Sequence, residues 1–508
     1  MSEPSSPVPA TARRRLNGIS EIRGFFRTNT SPVYFFGPTA FNLLGIDRWV
    51  RTFFYIAYYD SWDGAHPRVF SPRSKPYVEF ESSEDINNYL LRDPEVRAFI
   101  AARGGRPKVA MVFFDEETER ICEELGYELI LPPDALRRQL DSKIVTTTLG
   151  NEAGAPSVPN VLVEVDSWGT LVRLATEAGL GTDLVVQTPY GDSGKTTFFL
   201  RSESDWGSYG LDIVGQQVKV MKRINNKAAA VEAVLTRHGT IVGPFMTDLT
   251  GYPELTPYKG GWCGNDLFPE ALSEAHRATA IELVRRLGAR LGAEGYKGFF
   301  EVDVLIDLDT DEVYLGELNP RISGVSSMTN VTAGAYADIP LFLFHLLEYM
   351  DVDFVIDADE INQRWRDLAA VDVWAQLIMK EPNDSVERIA QDLPRRHTYR
   401  PRRRRQRHPG RARNLKAEPG RARQIRRPPH RVGAPNCYSR SSTTSMLLTS
   451  PARFAMKSGC ATQSFPLMRR ASSARAAWRH DVGSSSSFAT VAPSVRCTAS
   501  GPHPGRTR

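Results

Sequence analysis

Apolar positions along this chain follow two rhythms, and each change of rhythm falls at turn-forming residues. Residues 33–37 and 52–59 are continuous aromatic, β-rich runs bounded by turn residues, which predicts strands. Residues 108–114 form another unbroken apolar run and read as a buried strand. Helical spacing follows over 116–125, then a short strand over 128–131 ends before Pro132 and Pro133. Strand, helix, strand in that order implies a parallel α/β unit, placed at about residues 31–135. Further on, 142–150 predicts a helix with Asp141 or Ser142 as N-cap. Residues 183–187 and 196–200 read as two strands around a glycine-containing loop, and 218–224 as another strand. The helix predicted over 273–292 rests on Ile281, Val284, Leu287 and Leu291, which recur at three- and four-residue steps. Residues 300–306 and 313–318 then form a hairpin across Asp309, Thr310 and Asp311, and a helix follows over 341–350. No internal repeat is visible.

Length and composition bound this picture. At ~150 residues per domain, 508 residues suggest about three domains. Hydrophobic content of 41% and charged content of 24% are globular values, so a sizeable core is expected. The longest apolar run, 53–59, is far short of the ~20 residues a membrane helix needs. No apolar segment follows Arg13, Arg14 and Arg15 as a signal peptide would require. A soluble, cytoplasmic protein is therefore expected, with residues 1–30 as a flexible leader.

The net charge of +5 conceals a division. From Arg395 onward 26 bases face two acids, a balance of +24, whereas the first 394 residues hold 38 bases and 57 acids, a balance of −19. Residues 395–508 are rich in Arg, Pro, Ser, Ala and Gly without a sustained period, so a disordered basic tail is expected. Three origins stay open for it. Arg402, Arg403, Arg404 and Arg405 could meet phosphates of a nucleic acid, the tail could be a solvated extension, or it could be an out-of-frame translation of a GC-rich gene. Ala455, Met456 and Lys457 spell a biotin-attachment tripeptide, but 451–459 offers no flanking alternating strands, so the match reads as chance. Cys122 and Cys263 lie in the body and Cys437, Cys460 and Cys497 in the tail; none has metal-ligand spacing, and reduced thiols are expected.

Two constellations carry chemistry. The first runs from Pro189 through Tyr190, Gly191, Asp192, Ser193, Gly194 and Lys195 to Thr196. Its ending resembles a P-loop, but the first glycine of that motif falls on Pro189, which has no N–H, and 196–200 is strand-like rather than helical. A loop joining two antiparallel strands fits better, either closing on phosphate or serving as a plain polar hairpin. In the second, Glu301 and Asp303 alternate with valines and so share one strand face, as do Glu317 and Asn319 on the next strand, with Arg321 adjacent. Carboxylates gathered in this way repel unless a cation joins them, and hard oxygens suit a Mg²⁺ that also holds phosphates. A solvent-facing acidic hairpin is the plainer alternative.

Together these residues resemble the ATP-grasp superfamily: a glycine-rich β-loop, an acid on one strand, then Glu317, Leu318, Asn319, Pro320 and Arg321 on the next, with Lys143 before the core. The resemblance covers about residues 108–350 and is closest in style to biotin carboxylase and the large chain of carbamoyl-phosphate synthase. It implies an ATP-grasp fold at 136–350, an α/β pre-ATP-grasp domain before it, and the start of a C-terminal subdomain over 351–394. It also implies that Lys143 and Lys195 neutralise ATP phosphates while Gly191, Ser193 and Gly194 close over them. Asp303, Glu317 and Asn319 would hold Mg²⁺ or Mn²⁺, and Arg321 would steady an acyl phosphate. Glu232 is a candidate ribose or substrate contact, or else an exposed acid. Gln187 stands where the family carries a lysine on the strand before the loop. The hinge acids are replaced around Met221, Lys222 and Arg223, and the tetraglycine loop of biotin carboxylases is absent.

The implied activity is that of an ATP-dependent ligase that activates a carboxylate or bicarbonate and passes it to a nucleophilic acceptor. Two rivals are a degenerate nucleotide-binding domain without turnover and a nucleic-acid-binding protein led by its tail. A homodimer is allowed for, with no membrane partner and no nucleic-acid partner for the body. The stretch 251–266, with Gly260, Gly261, Trp262, Cys263 and Gly264, reads as a substrate lid or a tight turn.

Overall fold

The computed structural model describes residues 15–62, 64–75, 80–191, 196–253, 255–256, 261–267, 272–331, 339–370 and 374–380, together with two strands at 443–449 and 453–456. Strand β1 (Leu16–Asn17) opens the described chain and leads into the helix Gly18–Thr28. Strands β2 (Val33–Gly37), β3 (Phe53–Ala57), β4 (Val69–Phe70), β5 (Lys108–Met111) and β6 (Glu128–Leu129) form a five-stranded sheet in the order β4-β3-β2-β5-β6, parallel throughout. Every residue of β2 is buried, which is why this strand reads as a continuous apolar run rather than an alternating one. Flanking helices begin at side-chain caps. Ser82 and Asp85 form a reciprocal capping box, Asp93 caps a helix whose first residue is Pro94, and Asp115 caps Glu116–Leu125. The expected strand–helix–strand unit is thus present.

A second sheet has four antiparallel strands, β7 (Asn160–Glu164), β8 (Leu184–Gln187), β9 (Thr197–Leu200) and β10 (Gln217–Lys222), in the order β7-β10-β8-β9. One of its faces carries Leu184, Val186, Phe198, Leu200, Val218 and Val220, buried in a cluster with Leu171, Ala175 and Ile213. Those last three belong to the helices Trp168–Glu177 and Glu203–Ile213. Side chains alternate across a strand, so Val185, Gln187, Lys219 and Met221 point from the opposite face.

The third sheet contains β11 (Asn226–Thr236), β12 (Gly239–Thr250), β13 (Trp262–Leu267), β14 (Gly298–Asp307) and β15 (Val313–Asn319). After β16 (Phe354–Val355), which pairs with β1, the chain adds β17 (Trp374–Lys380), β18 (Thr443–Thr449) and β19 (Arg453–Met456). The order is β15-β14-β11-β12-β13-β17-β18-β19, antiparallel throughout. The predicted helix is Glu274–Ala293, and its Leu283, Val284, Leu287 and Leu291 bury against Val231, Ala233, Phe300, Val302 and Val304. That face of the sheet is closed; the alternate face bears Glu301 and Asp303.

Two expectations change. Residues 16–28, assigned from the polar start of the chain to a flexible leader, form β1 and a helix whose Ile22 and Phe26 are fully buried in the first core. Their four-residue step is a helical signal that the surrounding polarity obscured. Trp262, Cys263 and Gly264 lie neither in a lid nor in a tight turn but on β13, where Gly264 (φ +130°) sits so close to β17 that a Cβ would meet the Gln376 carbonyl oxygen at 2.0 Å. The expectation for the basic tail as a whole stands; within it β18 and β19 are described at the edge of β17, with Ala455 and Met456 opposite Leu447 and Met446. The Thr- and Leu-rich stretch Thr443–Thr449 has the β-propensity for this, which its arginine-rich surroundings masked. Residues 1–14, Arg402 to Arg405, Lys457 and the three tail cysteines lie outside the described residues. Among the described residues no helix is long and apolar enough to cross a membrane.

Because Phe26 is fully enclosed, Phe26→Ala should cost about 3–5 kcal/mol of stability. Guanidinium unfolding of the variant checks this, and an unchanged midpoint would show that the N-terminal helix does not dock.

Candidate active site

Lys143 begins the helix Lys143–Glu152, as predicted, but no side chain caps it. Its backbone N–H donates instead to the Pro189 carbonyl at 2.8 Å, which ties the helix start to the loop after β8. The same helix lies hard against β15, since a Cβ at Gly150 would come within 2.4 Å of Leu315 Cδ2. The Lys143 side chain thereby reaches both sheets. Its Nζ donates to the Gly191 carbonyl at 2.9 Å and to Glu317 Oε1 at 2.8 Å, and the residue is only 5% exposed.

The carboxylates are placed by register. Asp303 lies opposite Glu317, and Glu301 opposite Asn319. Between Leu315 and Glu317 the pairing slips by one, leaving Gly316 as the extra residue of a bulge; a Cβ there would be 3.0 Å from the Asp303 carbonyl oxygen. Without this slip Leu315 and Glu317 would share a face. With it, Leu315 and Leu318 both enter the core while Glu317 and Asn319 turn toward Asp303 and Glu301. Asn319 Nδ2 donates to Glu301 Oε2 at 2.6 Å, and Arg321 Nη2 donates to Asn319 Oδ1 at 2.7 Å. The Arg321 guanidinium lies 4.7 Å from the centre of the Phe113 ring and 3.8 Å from Asp141, so a residue of the first sheet's own loop helps hold it.

Burial governs the electrostatics. Asp303 is pushed up to about 6, first by burial and then by Glu317, and Glu301 well above the carboxylate range by burial and by Asp303. Asp248, on β12, is raised in the same way by burial and Asp303. Among the described residues no group of three or more His, Cys, Asp or Glu side chains is disposed to hold a metal ion. The set expected from the sequence contains only two such carboxylates, Asp303 and Glu317, with the Asn319 amide as third member. Its oxygen-donor chemistry fits a hard divalent cation.

Facing this array is the open face of the four-stranded sheet. Val185 and Met221 cluster there with Val158, and Phe199, Leu305 and Tyr314 pack against them, joining the two sheets through an apolar contact. Gln187 Nε2 donates to Thr197 Oγ1 at 3.2 Å, while its Oε1 is buried without a hydrogen-bond partner. Directly opposite Gln187 in register stands Lys219, 1% exposed, which the sequence reading passed over because it is embedded in a valine-rich strand. Burial lowers this ammonium to about 8, Glu317 raises it and Lys143 lowers it, so all three groups share one site.

Of the residues singled out from sequence, the structure gathers Lys143, Gln187, Gly191, Asp303, Glu317, Asn319 and Arg321. Ser193, Gly194 and Lys195 lie outside the described residues. Glu232 corrects the reading of it as an exposed acid: it is fully buried, engaged by the hydroxyls of Ser323 and Thr329. Those hydroxyls lie on the segment after Arg321, so Glu232 anchors that segment. None of the gathered residues lines the separate small pocket bounded by Val242, Phe245, Arg277, Ile281, Asn362 and Arg366.

No family model matches the sequence. The α subunit of mitochondrial methylcrotonoyl-CoA carboxylase from Arabidopsis thaliana is 22% identical over 249 residues, which are 47% of this chain and 33% of the relative. The matched region is thus a third of that curated relative's length. Among solved structures, biotin carboxylase from Campylobacter jejuni in complex with β,γ-ATP superposes with a TM-score of 0.50 at 15% identity, covering 71% of this chain and 77% of that one. N5-carboxyaminoimidazole synthase from Aspergillus clavatus, bound to ADP and its ribonucleotide, gives 0.47 at 16% identity over 69% and 83%. The chain has the ATP-grasp fold, as the resemblance implied.

Asp303 titrates higher folded than unfolded, so its contribution to stability is present at low pH and is lost as pH rises from its ordinary 3.8 toward about 6. In a chelator-treated sample, Asp303→Asn should therefore raise the thermal midpoint more at a pH of about 7 than at about 4. An equal effect at both would show that Asp303 is not proton-linked to folding.

Proposed function

We propose that this chain is an ATP-dependent ligase of the ATP-grasp type, which activates a carboxylate or bicarbonate as an acyl or carboxy phosphate. The observation that carries this reading is the convergence of Lys143, Asp303, Glu317, Asn319 and Arg321 between two antiparallel sheets. The apolar contact of Val185, Met221, Phe199, Leu305 and Tyr314 supports a base-binding end, and the charged groups a phosphate-binding end.

In this reading Lys143 leaves Glu317 for a phosphate oxygen when nucleotide enters. Asp303, Glu317 and Asn319 are the residues that would hold Mg²⁺ or Mn²⁺, whose chemistry is to neutralise phosphate charge. Glu301 accepts from the Asn319 amide and so keeps that side chain oriented. Arg321, held by Asn319 and stacked near Phe113, offers its guanidinium to the activated carboxylate. The carboxylate oxygen attacks the terminal phosphorus, ADP departs, and a nucleophilic acceptor then displaces phosphate from the acyl carbon. Positioning and charge neutralisation supply the rate enhancement. The domain division belongs to the same reading: 31–135 as the preceding α/β unit, 136–350 as the ATP-grasp core, and 351–394 as the start of a C-terminal subdomain. A cytoplasmic location and a homodimer are further parts of the proposal.

Titrating the full chain with Mg-ATP tests it. At 100 times its dissociation constant the nucleotide contributes ~2.7 kcal/mol, which should raise the thermal midpoint by about 2 °C or more. Glu317→Gln should weaken that response and lower ADP release by roughly 100-fold or more. A cooperatively unfolding chain with no Mg-ATP response would overturn the ligase reading.

A further inference from the structure

The four-stranded sheet contains a charge that its own packing does not explain. Lys219 is 1% exposed on β10, between Val218 and Val220. Among the described residues it makes no hydrogen bond or ion pair, and the neighbouring carboxylate, Glu317, is already taken by Lys143 at 2.8 Å. An ammonium removed from water without a partner costs several kcal/mol, a cost hydrophobic residues on the same strand would avoid. Its register places it directly across from Gln187, whose own Oε1 is buried and unpartnered. Thr197 completes the row on β9, opposite Gln187 on the other side.

All three side chains point from the face that meets the third sheet, because the opposite face is filled by Val186, Phe198, Val218 and Val220 beneath two helices. The two sides of this cleft are complementary. The oxygen donors of Asp303, Glu317 and Asn319 stand together by register on one side, and Lys219, with no carboxylate of its own, stands on the other. A metal-bound polyphosphate meets both at once.

We propose that Lys219 is the strand-borne cation that binds the nucleotide's phosphates, replacing from the neighbouring strand the lysine that Gln187 displaces. This rests on the ligase reading above and deepens it. Exchanging lysine and glutamine across one antiparallel pair moves the charge by only a strand spacing, ~4.8 Å, within reach of a flexible four-carbon stem. Gln187 then has a different duty: its amide, anchored on Thr197, keeps the row in place beside the charge. The Gln187 substitution accordingly does not mark a site that has lost its nucleotide.

Three full-length variants test this by Mg-ATP titration followed through the thermal midpoint: Lys219→Met, Gln187→Lys, and the exchange Gln187→Lys with Lys219→Gln. Lys219→Met keeps the apolar stem, so its midpoint without nucleotide should equal or exceed that of the wild type. Its affinity for Mg-ATP should fall by roughly 10-fold or more, the worth of a hydrogen bond to a charged group. The exchange should restore affinity to within about threefold of the wild type, and Gln187→Lys alone should not weaken it. Undiminished affinity in Lys219→Met overturns the proposal, as does an exchange variant that binds no better than Lys219→Met. A lowered midpoint with unchanged affinity would assign Lys219 a purely structural role, which also overturns it. Should Lys219→Met fail to fold, the exchange variant decides alone, since it retains a lysine in the same row. A wild-type chain that does not respond to Mg-ATP overturns the ligase reading itself, a result distinct from any of these.

Discussion

The Lys143 ammonium joins segments that are far apart in the chain: the start of a helix, the Gly191 carbonyl beyond β8, and Glu317 near the end of β15. Its burial makes the arrangement demanding, because a charge this enclosed must be satisfied from both sides. The helix must approach β15 as closely as Gly150 allows, and the loop after β8 must present a carbonyl. A buried ion pair of this kind contributes little net stability. It ties the loop after β8 to the end of β15 at one point.

Around that contact the fold separates its two tasks by strand face. On the third sheet, valines and alanines close one face against Glu274–Ala293, leaving carboxylates on the other. On the second, two helices close one face and leave Gln187 and Lys219 on the other. Period-two alternation therefore creates both the cores and the cleft. The bulge at Gly316 interrupts that alternation beside the carboxylates, and it permits Leu315, Glu317, Leu318 and Asn319 all to lie on the sides their chemistry requires.

The electrostatics of the cleft amount to strain held in place by those cores. Carboxyl groups are driven toward protonation by burial, and an ammonium is driven toward neutrality. Under the proposed function, a magnesium–polyphosphate complex would meet groups of both signs at once.

Local sequence determined much of this protein. Continuous apolar runs announced the parallel sheet, three- and four-residue steps announced Glu274–Ala293, alternation put Glu301 with Asp303 and Glu317 with Asn319 on shared faces, and the turn at Asp309, Thr310 and Asp311 made the two strands neighbours. These are legible because strand faces and helix faces follow from spacing alone. What spacing cannot contain is which residues of distant strands stand opposite one another. Only the tertiary structure placed Lys219 across from Gln187, withdrew Glu232 into the core under Ser323 and Thr329, and seated Ile22 and Phe26 in the first core. The physical reason is the same in each case: register and burial are set by long-range packing, and a lysine flanked by valines looks like any strand residue until its neighbours are known.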